Sequence, residues 1–403
     1  MIVSRTRRVA GLALLAALAF AVPASACPFC GPVDQTLTKD AAQAMLIVFG
    51  TLTNPKYDPA HPFQGTTDLS VETVVKPHEY LGNKKVLTLN RYIPIDKENK
   101  GKYLVFCDVF NGKLDAYRGV LLRADSKIAE YLQGALKVKD KDAPTRLAYF
   151  FKYLDSSDID IANDAFSEFA LADYKDYRPL AEKLDADTLA KWLKDPNTPA
   201  SRYGLYGSML GHCGKAEHAA VLRELLDNDN KRFQSGLDGM FAGYVMLQKN
   251  EGWDYINGIL KDPSKEFLLR YAALRSVRFF WEFRPDLVSA KDLVAGVSHL
   301  LEQSDIADLA IEDLRKWKRW EMADTIIGLA DRKGFDVPII ERAILRFALS
   351  CPPKECPKAA NYVAAMRKRD PEKVKDVEEL LQLEMDAKPA ASVKNPGKQP
   401  LTK

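Results

Sequence analysis

The sequence predicts an α+β multidomain protein, with a small β-barrel at the N-terminus and a long array of helix pairs after it. Three observations support this prediction. Short apolar or alternating segments bounded by turn residues dominate residues 27–124. Apolar residues then recur at spacings of three and four through residues 125–385. Within that second stretch, similar helix-ending turns return at separations of 39, 33, 34, 41 and 28 residues, each the length of one helix pair.

Residues 1–26 have the pattern of an export signal. Three arginines among the first eight residues precede an apolar stretch that is too short to cross a bilayer, and an Ala-Ser-Ala cleavage pattern ends at Ala26. We therefore expect a periplasmic or secreted protein. Cys27 directly follows the cleavage position, so a lipid anchor on Cys27 is an alternative. Pro23 stands where lipoprotein signals usually carry an aliphatic residue, and it favours ordinary cleavage.

The charge balance disfavours one class of partner. The chain has 58 Lys and Arg against 55 Asp and Glu, and the export signal removes three arginines and no acids, which leaves 55 of each. A neutral protein lacks the excess of cations that nucleic-acid binding requires. No segment after the signal is long and apolar enough for a transmembrane span. We therefore expect neither a nucleic-acid partner nor a transmembrane segment.

Five segments in the first part of the chain are typical of strands: 45–52, 69–75, 86–89, 103–109 and 117–122. Gly50 interrupts the first of them and predicts a bulge or bend. Asn111-Gly112 predicts a hairpin turn between the last two. Five strands within about 80 residues fit a small barrel or sandwich.

The clearest recurring turn is Leu260-Lys261-Asp262-Pro263, which is followed by Arg270-Tyr271-Ala272-Ala273-Leu274. Arg270 falls on the apolar stripe of its helix, where a guanidinium must be paired. The segment resembles a HEAT repeat, in which a turn aspartate pairs with a second-helix arginine between neighbouring units. The resemblance implies a HEAT-like α-solenoid over residues 125–385. It also implies a structural ion pair between Arg270 and Asp262, or the counterpart of Asp262 in the next repeat; a later turn keeps an aspartate at Asp305.

Cys27-Pro28-Phe29-Cys30 is the motif in this chain that could most readily carry a redox or metal function. Three interpretations of it stay open. A redox dithiol usually begins a βαβ unit, and none follows here. A zinc site needs two more ligands, and only Cys107 is available without assuming the fold. A disulfide from this segment to Cys107 would fasten the N-terminus to the barrel, as is common in exported proteins.

The N-terminal cysteines, the predicted barrel and the stretches 71–76 and 103–106 resemble the netrin-like module of tissue inhibitors of metalloproteinases. The resemblance implies an oligonucleotide-binding-type (OB) barrel over residues 27–124. In those inhibitors the free amine and carbonyl of the first cysteine chelate the protease zinc, a role that would fall on Cys27. The chain departs from the module by having Cys-x-x-Cys in place of Cys-x-Cys.

A cluster of cations and indoles provides weak partner-binding candidates: Arg315, Lys316, Trp317, Arg319 and Trp320. Such residues can bind an anionic or peptide partner by charge and cation–π contacts. The alternative is a solvated helix face on which Arg315 and Arg319 point outward, neutralised by nearby acids.

The other polar and cysteine motifs favour structural roles. Cys351 and Cys356 can close a small disulfide loop. His212 and Cys213, with His218, indicate a helix-capping loop, since a metal site needs three or four ligands. Residues 386–403 have the composition of a disordered tail.

No catalytic motif of a hydrolase or nucleotide enzyme is present in the sequence. We therefore interpret the chain as a non-enzymatic binding or scaffold protein without a cofactor, which holds a protein or peptide of the cell envelope on its helical repeats. The alternatives are an envelope thiol–disulfide protein that uses Cys27 and Cys30, and a metalloprotease inhibitor that acts through the amine of Cys27.

Overall fold

The structure is a computed structural model that describes residues 28–29, 35–57, 65–95, 101–228 and 230–386. The export signal, Cys27, Cys30 and the tail beyond Asp386 lie outside the described residues, and the predictions made for them stay predictions. The described chain forms two compact units. The N-terminal unit comprises residues up to Ile256 together with Phe279–Val288, and the C-terminal unit comprises Asn257–Arg278 together with residues from Ser289 onward.

The N-terminal unit contains a five-stranded antiparallel sheet. Its strands are β1 (Leu46–Tyr57), β2 (Gly65–Lys76), β3 (Val86–Leu89), β4 (Lys102–Phe110) and β5 (Lys113–Leu122), in the order β3-β2-β1-β4-β5. The strands fall where the sequence predicts them. Among the described residues β3 and β5 form the two open edges, so the closed barrel of the prediction is not confirmed.

Two local predictions for the sheet are confirmed. The register of β1 against β2 shifts between Phe49 and Gly50, which is the expected bulge. Asn111 and Gly112 have φ values of 49° and 72°. A two-residue turn with both φ angles positive matches the twist of a hairpin, and here it joins β4 to β5.

The rest of the described chain is helical, and the change from strand to helix falls between Leu122 and Ile128, as predicted. The helices are α1 (Leu37–Gln43), α2 (Ile128–Val138), α3 (Ala143–Phe151), α4 (Ile159–Ala170), α5 (Tyr174–Ala181), α6 (Ala186–Lys194), α7 (Tyr203–Cys213), α8 (Ala219–Leu226), α9 (Leu237–Gln248), α10 (Asn250–Lys261), α11 (Phe267–Phe283), α12 (Ala290–Ser298), α13 (Ala307–Lys316), α14 (Ala323–Gly328), α15 (Pro338–Ser350), α16 (Pro357–Arg369) and α17 (Pro371–Asp386). Short 3₁₀ turns join several of them.

Helices that are two apart in chain order pack against each other within each unit. In the N-terminal unit α5 packs on α7 and α7 on α9; in the C-terminal unit α13 packs on α15 and α15 on α17. Stacked helix pairs produce this pattern, because each helix meets its equivalent in the next pair. The array is therefore compatible with an α-solenoid.

Glycines allow α7 and α9 to approach closely. A Cβ atom on Gly207 would lie 2.9 Å from the Cα of Met240, and one on Gly243 would collide with the carbonyl oxygen of Gly207. Contacts this short require glycine at both positions. The two helices thus pack backbone to backbone.

Buried carboxylates hold α1 in the N-terminal unit. Asp164 on α4 accepts hydrogen bonds from the Leu37 amide (2.5 Å), the Thr38 hydroxyl (2.7 Å) and the Tyr131 hydroxyl (2.8 Å). Cys107, the predicted disulfide partner, is a free thiol buried in β4. Burial raises the pKa of Cys107 to about 12. A disulfide between Cys107 and the segment of Cys27 and Cys30 stays a prediction, because both of those cysteines lie outside the described residues.

Candidate functional site

The C-terminal unit has a cavity of about 540 Å³ near the ends of α13 and α15 and along one face of α17. We name it the C-terminal groove. Helix α17 contributes Glu378, Gln382 and Met385, which recur at spacings of four and three and so share one helix face. The ends of α13 and α15 contribute Lys316 and Leu349.

A ring of four charged side chains, two of which line the groove, fixes its helices. Arg315 of α13 contacts Glu384 of α17 at 2.8 Å and Glu312 at 2.9 Å. Arg346 of α15 contacts the same two glutamates, at 2.6 Å and 3.3 Å. The two positive and two negative charges cancel. The ring therefore joins three helices and leaves this part of the groove close to neutral.

Apolar side chains line part of the groove. Trp320 packs edge to face on Phe347, with ring centroids 5.5 Å apart. Leu349, Leu381 and Met385 also line the groove, and Met385 is 60% exposed. An exposed apolar lining of this kind gains free energy when a partner covers it.

Two lysines give the groove its excess positive charge. Lys316 and Lys318 are exposed and form no salt bridge within the part of the chain that the structure describes. Arg367, another cation of the lining, pairs with Glu378 at 2.6 Å. The unpaired cations favour an anionic ligand.

The backbone at Lys318 is unusual for a lysine. Its φ of 57° is in the left-handed region. The Lys318 amide donates to the carbonyl of Arg315, and the Arg319 amide donates to the carbonyl of Leu314. This pattern is the helix C-terminal motif in which glycine normally occupies the left-handed position. A lysine there carries a conformational cost that glycine would avoid, and its side chain lines the groove.

The structure brings together part of the predicted partner-binding cluster. Lys316, Trp320 and Arg315 line the groove, and Arg315 is only 7% exposed because its guanidinium lies in the charge ring. The alternative in which Arg315 points outward is therefore wrong, because Glu312 and Glu384 bind its guanidinium. Arg319 pairs with Glu321 at 2.5 Å, and Trp317 is half-buried; neither lines the groove.

The predicted ion pair of Arg270 has a different partner. Arg270 is buried, as the sequence predicts, and its guanidinium binds Asp305 at 2.5 Å. Asp262 instead accepts hydrogen bonds from the Ser264 amide (2.9 Å) and hydroxyl (2.6 Å) and closes its own turn. The expected Asp262–Arg270 pair is thus replaced by the aspartate of the later turn.

His212 and His218 have different hydrogen-bond partners and do not form a shared site. The Lys215 amide donates to Nδ1 of His218 at 3.0 Å, which confirms the helix-capping interpretation for that residue. His212 lies 3.2 Å from the hydroxyl of Tyr174. Among the described residues, no three His, Cys, Asp or Glu side chains are grouped so that they could hold a metal ion.

Cys351 and Cys356 are buried free thiols, and the Cys356 thiol donates to the Trp320 carbonyl at 3.9 Å. Burial, together with the neighbouring thiol, raises the pKa of Cys351. A disulfide between them stays a prediction.

Comparison with known proteins gives no family assignment: no family, curated protein or solved structure is significantly similar to this chain. In the described part of the chain, no helix has both the length and the apolar character needed to cross a membrane.

Proposed function

We propose that the protein is an exported, non-enzymatic binding protein of the cell envelope that holds an acidic, partly apolar peptide segment of a partner protein in the C-terminal groove. Export rests on the signal pattern of residues 1–26. We further propose that the helices form a HEAT-like solenoid and that the sheet is an OB-like barrel. The strand order β3-β2-β1-β4-β5 supports the barrel, because closing it requires only that β3 and β5 meet.

One observation carries the proposal: two unpaired lysines stand beside an exposed apolar lining. Lys316 and Lys318 attract carboxylates, while Trp320, Leu381 and Met385 accept apolar side chains. A purely acidic ligand would leave the apolar surface uncovered, and a purely apolar one would leave the lysines without partners. A peptide with both kinds of residue matches the groove.

The charge ring supports a rigid binding site. Arg315 and Arg346 hold α17 through Glu384, so one wall of the groove is fixed before a ligand arrives. A preformed surface loses little conformational entropy on binding. We therefore expect Glu384→Gln to weaken peptide binding even though Glu384 contributes no positive charge.

Selection from a random peptide display library tests the proposal. The full-length mature chain should enrich peptides that combine Asp or Glu with Leu, Ile or Phe. The double variant Lys316→Glu/Lys318→Glu should lose this enrichment. The control Lys291→Glu/Lys333→Glu changes two exposed lysines of the same unit that do not line the groove, and it should retain the enrichment. Equal enrichment by both double variants would refute the proposed site.

A further inference from the structure

A second, more polar cavity lies in the N-terminal unit. Its volume is about 390 Å³, and its lining includes Glu182, Lys215, Lys249 and Arg284. These residues follow the carboxyl ends of α5, α7, α9 and α11, respectively. Four turns between helices thus place ionisable side chains around one space.

The cavity has an excess of positive charge. Lys215, Lys249 and Arg284 are cations, and Glu182 is the single acid of the lining. Glu182 already pairs with Arg178 at 2.8 Å. Neither Lys215 nor Lys249 forms a salt bridge within the described residues. Net positive charge in a cavity of this size favours an anion.

Nη1 of Arg284 has no carboxylate acceptor, although the guanidinium also interacts with the Tyr174 hydroxyl. Asp286 accepts hydrogen bonds from Nε and Nη2, both at 2.8 Å. Nη1 faces the sulfur of Met246 at 3.4 Å. A thioether is a weak acceptor. A carboxylate in the cavity would offer this nitrogen a charge-assisted hydrogen bond in its place.

Lys249 has a strained backbone at the edge of the cavity. It separates α9 from α10 with φ 42° and ψ −101°, a conformation that glycine adopts far more readily than lysine. Strained residues of this kind concentrate at ligand sites, where the side chain is needed despite its conformational cost. Glycine would relieve this strain, but it would not supply the ammonium group that Lys249 provides.

Three apolar side chains also line the cavity, together with the imidazole of His212. Met246, Leu247 and Leu287 line the same cavity as the cations. An inorganic anion would leave these side chains without contacts. A ligand with both a charged group and a short hydrocarbon part covers both surfaces.

We propose that this cavity binds a small organic carboxylate. Lys215, Lys249 and Nη1 of Arg284 hold the carboxylate group, and Met246, Leu247 and Leu287 contact the hydrocarbon part. The site is independent of the C-terminal groove and of the peptide that the groove binds.

Calorimetry with the full-length mature protein tests the charge requirement. Hexanoate should bind saturably, whereas hexanamide, which has the same hydrocarbon part and no charge, should bind at least about tenfold more weakly. Inorganic phosphate should also bind more weakly than hexanoate, because it cannot contact the leucines. Equal affinity for hexanoate and hexanamide, or tighter binding of phosphate, would overturn the proposal, as would the absence of hexanoate binding.

The variant Lys249→Gly separates binding from folding. Glycine relieves the backbone strain, so the midpoint of thermal unfolding should stay equal or rise, while the affinity for hexanoate should fall about tenfold with the loss of one charged contact. The control Lys194→Gln removes an exposed lysine that does not line the cavity, and it should leave the affinity unchanged. A Lys249→Gly variant that binds hexanoate like the wild type contradicts the assignment.

Discussion

The guanidinium of Arg270 in α11 binds the carboxylate of Asp305, 35 residues later in the chain, at 2.5 Å. Arg270 is only 4% exposed, whereas the side chain of Asp305 is 52% exposed. Nη1 of the same guanidinium also donates to Gln303 at 2.7 Å. A buried cation therefore connects one helix pair to the turn before α13.

This geometry predicts unequal costs for removing the two partners. Asp305→Ala leaves a buried guanidinium without its counter-ion and should lower the free energy of unfolding by about 3 kcal/mol. Arg270→Met keeps apolar volume and leaves Asp305 to be hydrated, so it should cost about 1 kcal/mol. The double variant should resemble Arg270→Met. Urea unfolding of the three variants checks this, and additive effects in the double variant would contradict it.

The close packing of α7 on α9 predicts a large effect of one added methyl group. Gly243→Ala would place Cβ against the carbonyl oxygen of Gly207, so the helices must separate, at an expected cost of about 3 kcal/mol. Gly258→Ala in α10 meets no atom within 4 Å. It should stabilise the protein by about 0.5–1 kcal/mol through helix propensity. Thermal or urea unfolding distinguishes the two, and similar effects would argue against the contact.

The buried carboxylate of Asp164 predicts a pH dependence. Burial raises the pKa of Asp164 above its ordinary value of 3.8 despite three hydrogen bonds to the carboxylate. Because the pKa of Asp164 is raised in the folded state, its titration contributes most to stability below pH 3.8. This contribution is lost as the pH rises through the folded-state pKa. The stability of wild type relative to Asp164→Asn should therefore decrease with rising pH across that range. A relative stability that increases instead would show that the pKa is lowered.

For His212 we expect the opposite pH dependence, with stability lost as the pH falls. Burial, with Arg284 and Arg178 nearby, lowers the pKa of His212 from 6.5 to about 4, although Glu182 and Asp286 oppose the effect. The folded protein therefore holds a neutral imidazole, and stability should fall as the pH drops from 6.5 towards 4. His212→Gln should show a weaker loss over the same range. An NMR titration of the His212 ring would measure the pKa directly, and a value near 6.5 would contradict the burial argument.

The strands were predictable because their signals are local. Gly50 marks the bulge in β1, and Asn111-Gly112 specifies the hairpin through its positive φ angles. The burial of Arg270 also follows from the stripe on its own helix. The identity of the partner of Arg270 does not follow from that stripe, because Asp262 and Asp305 are both turn aspartates. Only the stacking of the helix pairs selects Asp305.

The C-terminal groove was only partly predictable. Lys316 and Trp320 belong to a conspicuous cluster of cations and indoles. Lys318 lies in the same stretch, but its left-handed conformation was not predictable because it is a property of the helix end, where the sequence shows no glycine. The role of Arg315 depends on Glu384, 69 residues away, and no local pattern connects the two. Contacts between distant helices therefore set the limit of the sequence-based prediction.

Photo-crosslinking tests the groove most directly. Benzoylphenylalanine placed at Met385 should crosslink to an acidic, partly apolar peptide selected from the display library. The same group at Ile339, another exposed apolar residue of the C-terminal unit, should not. Crosslinking at Met385 that is lost in the Lys316→Glu/Lys318→Glu background is the expected result. Equal crosslinking at Met385 and Ile339, or none at Met385, would contradict peptide binding in the groove.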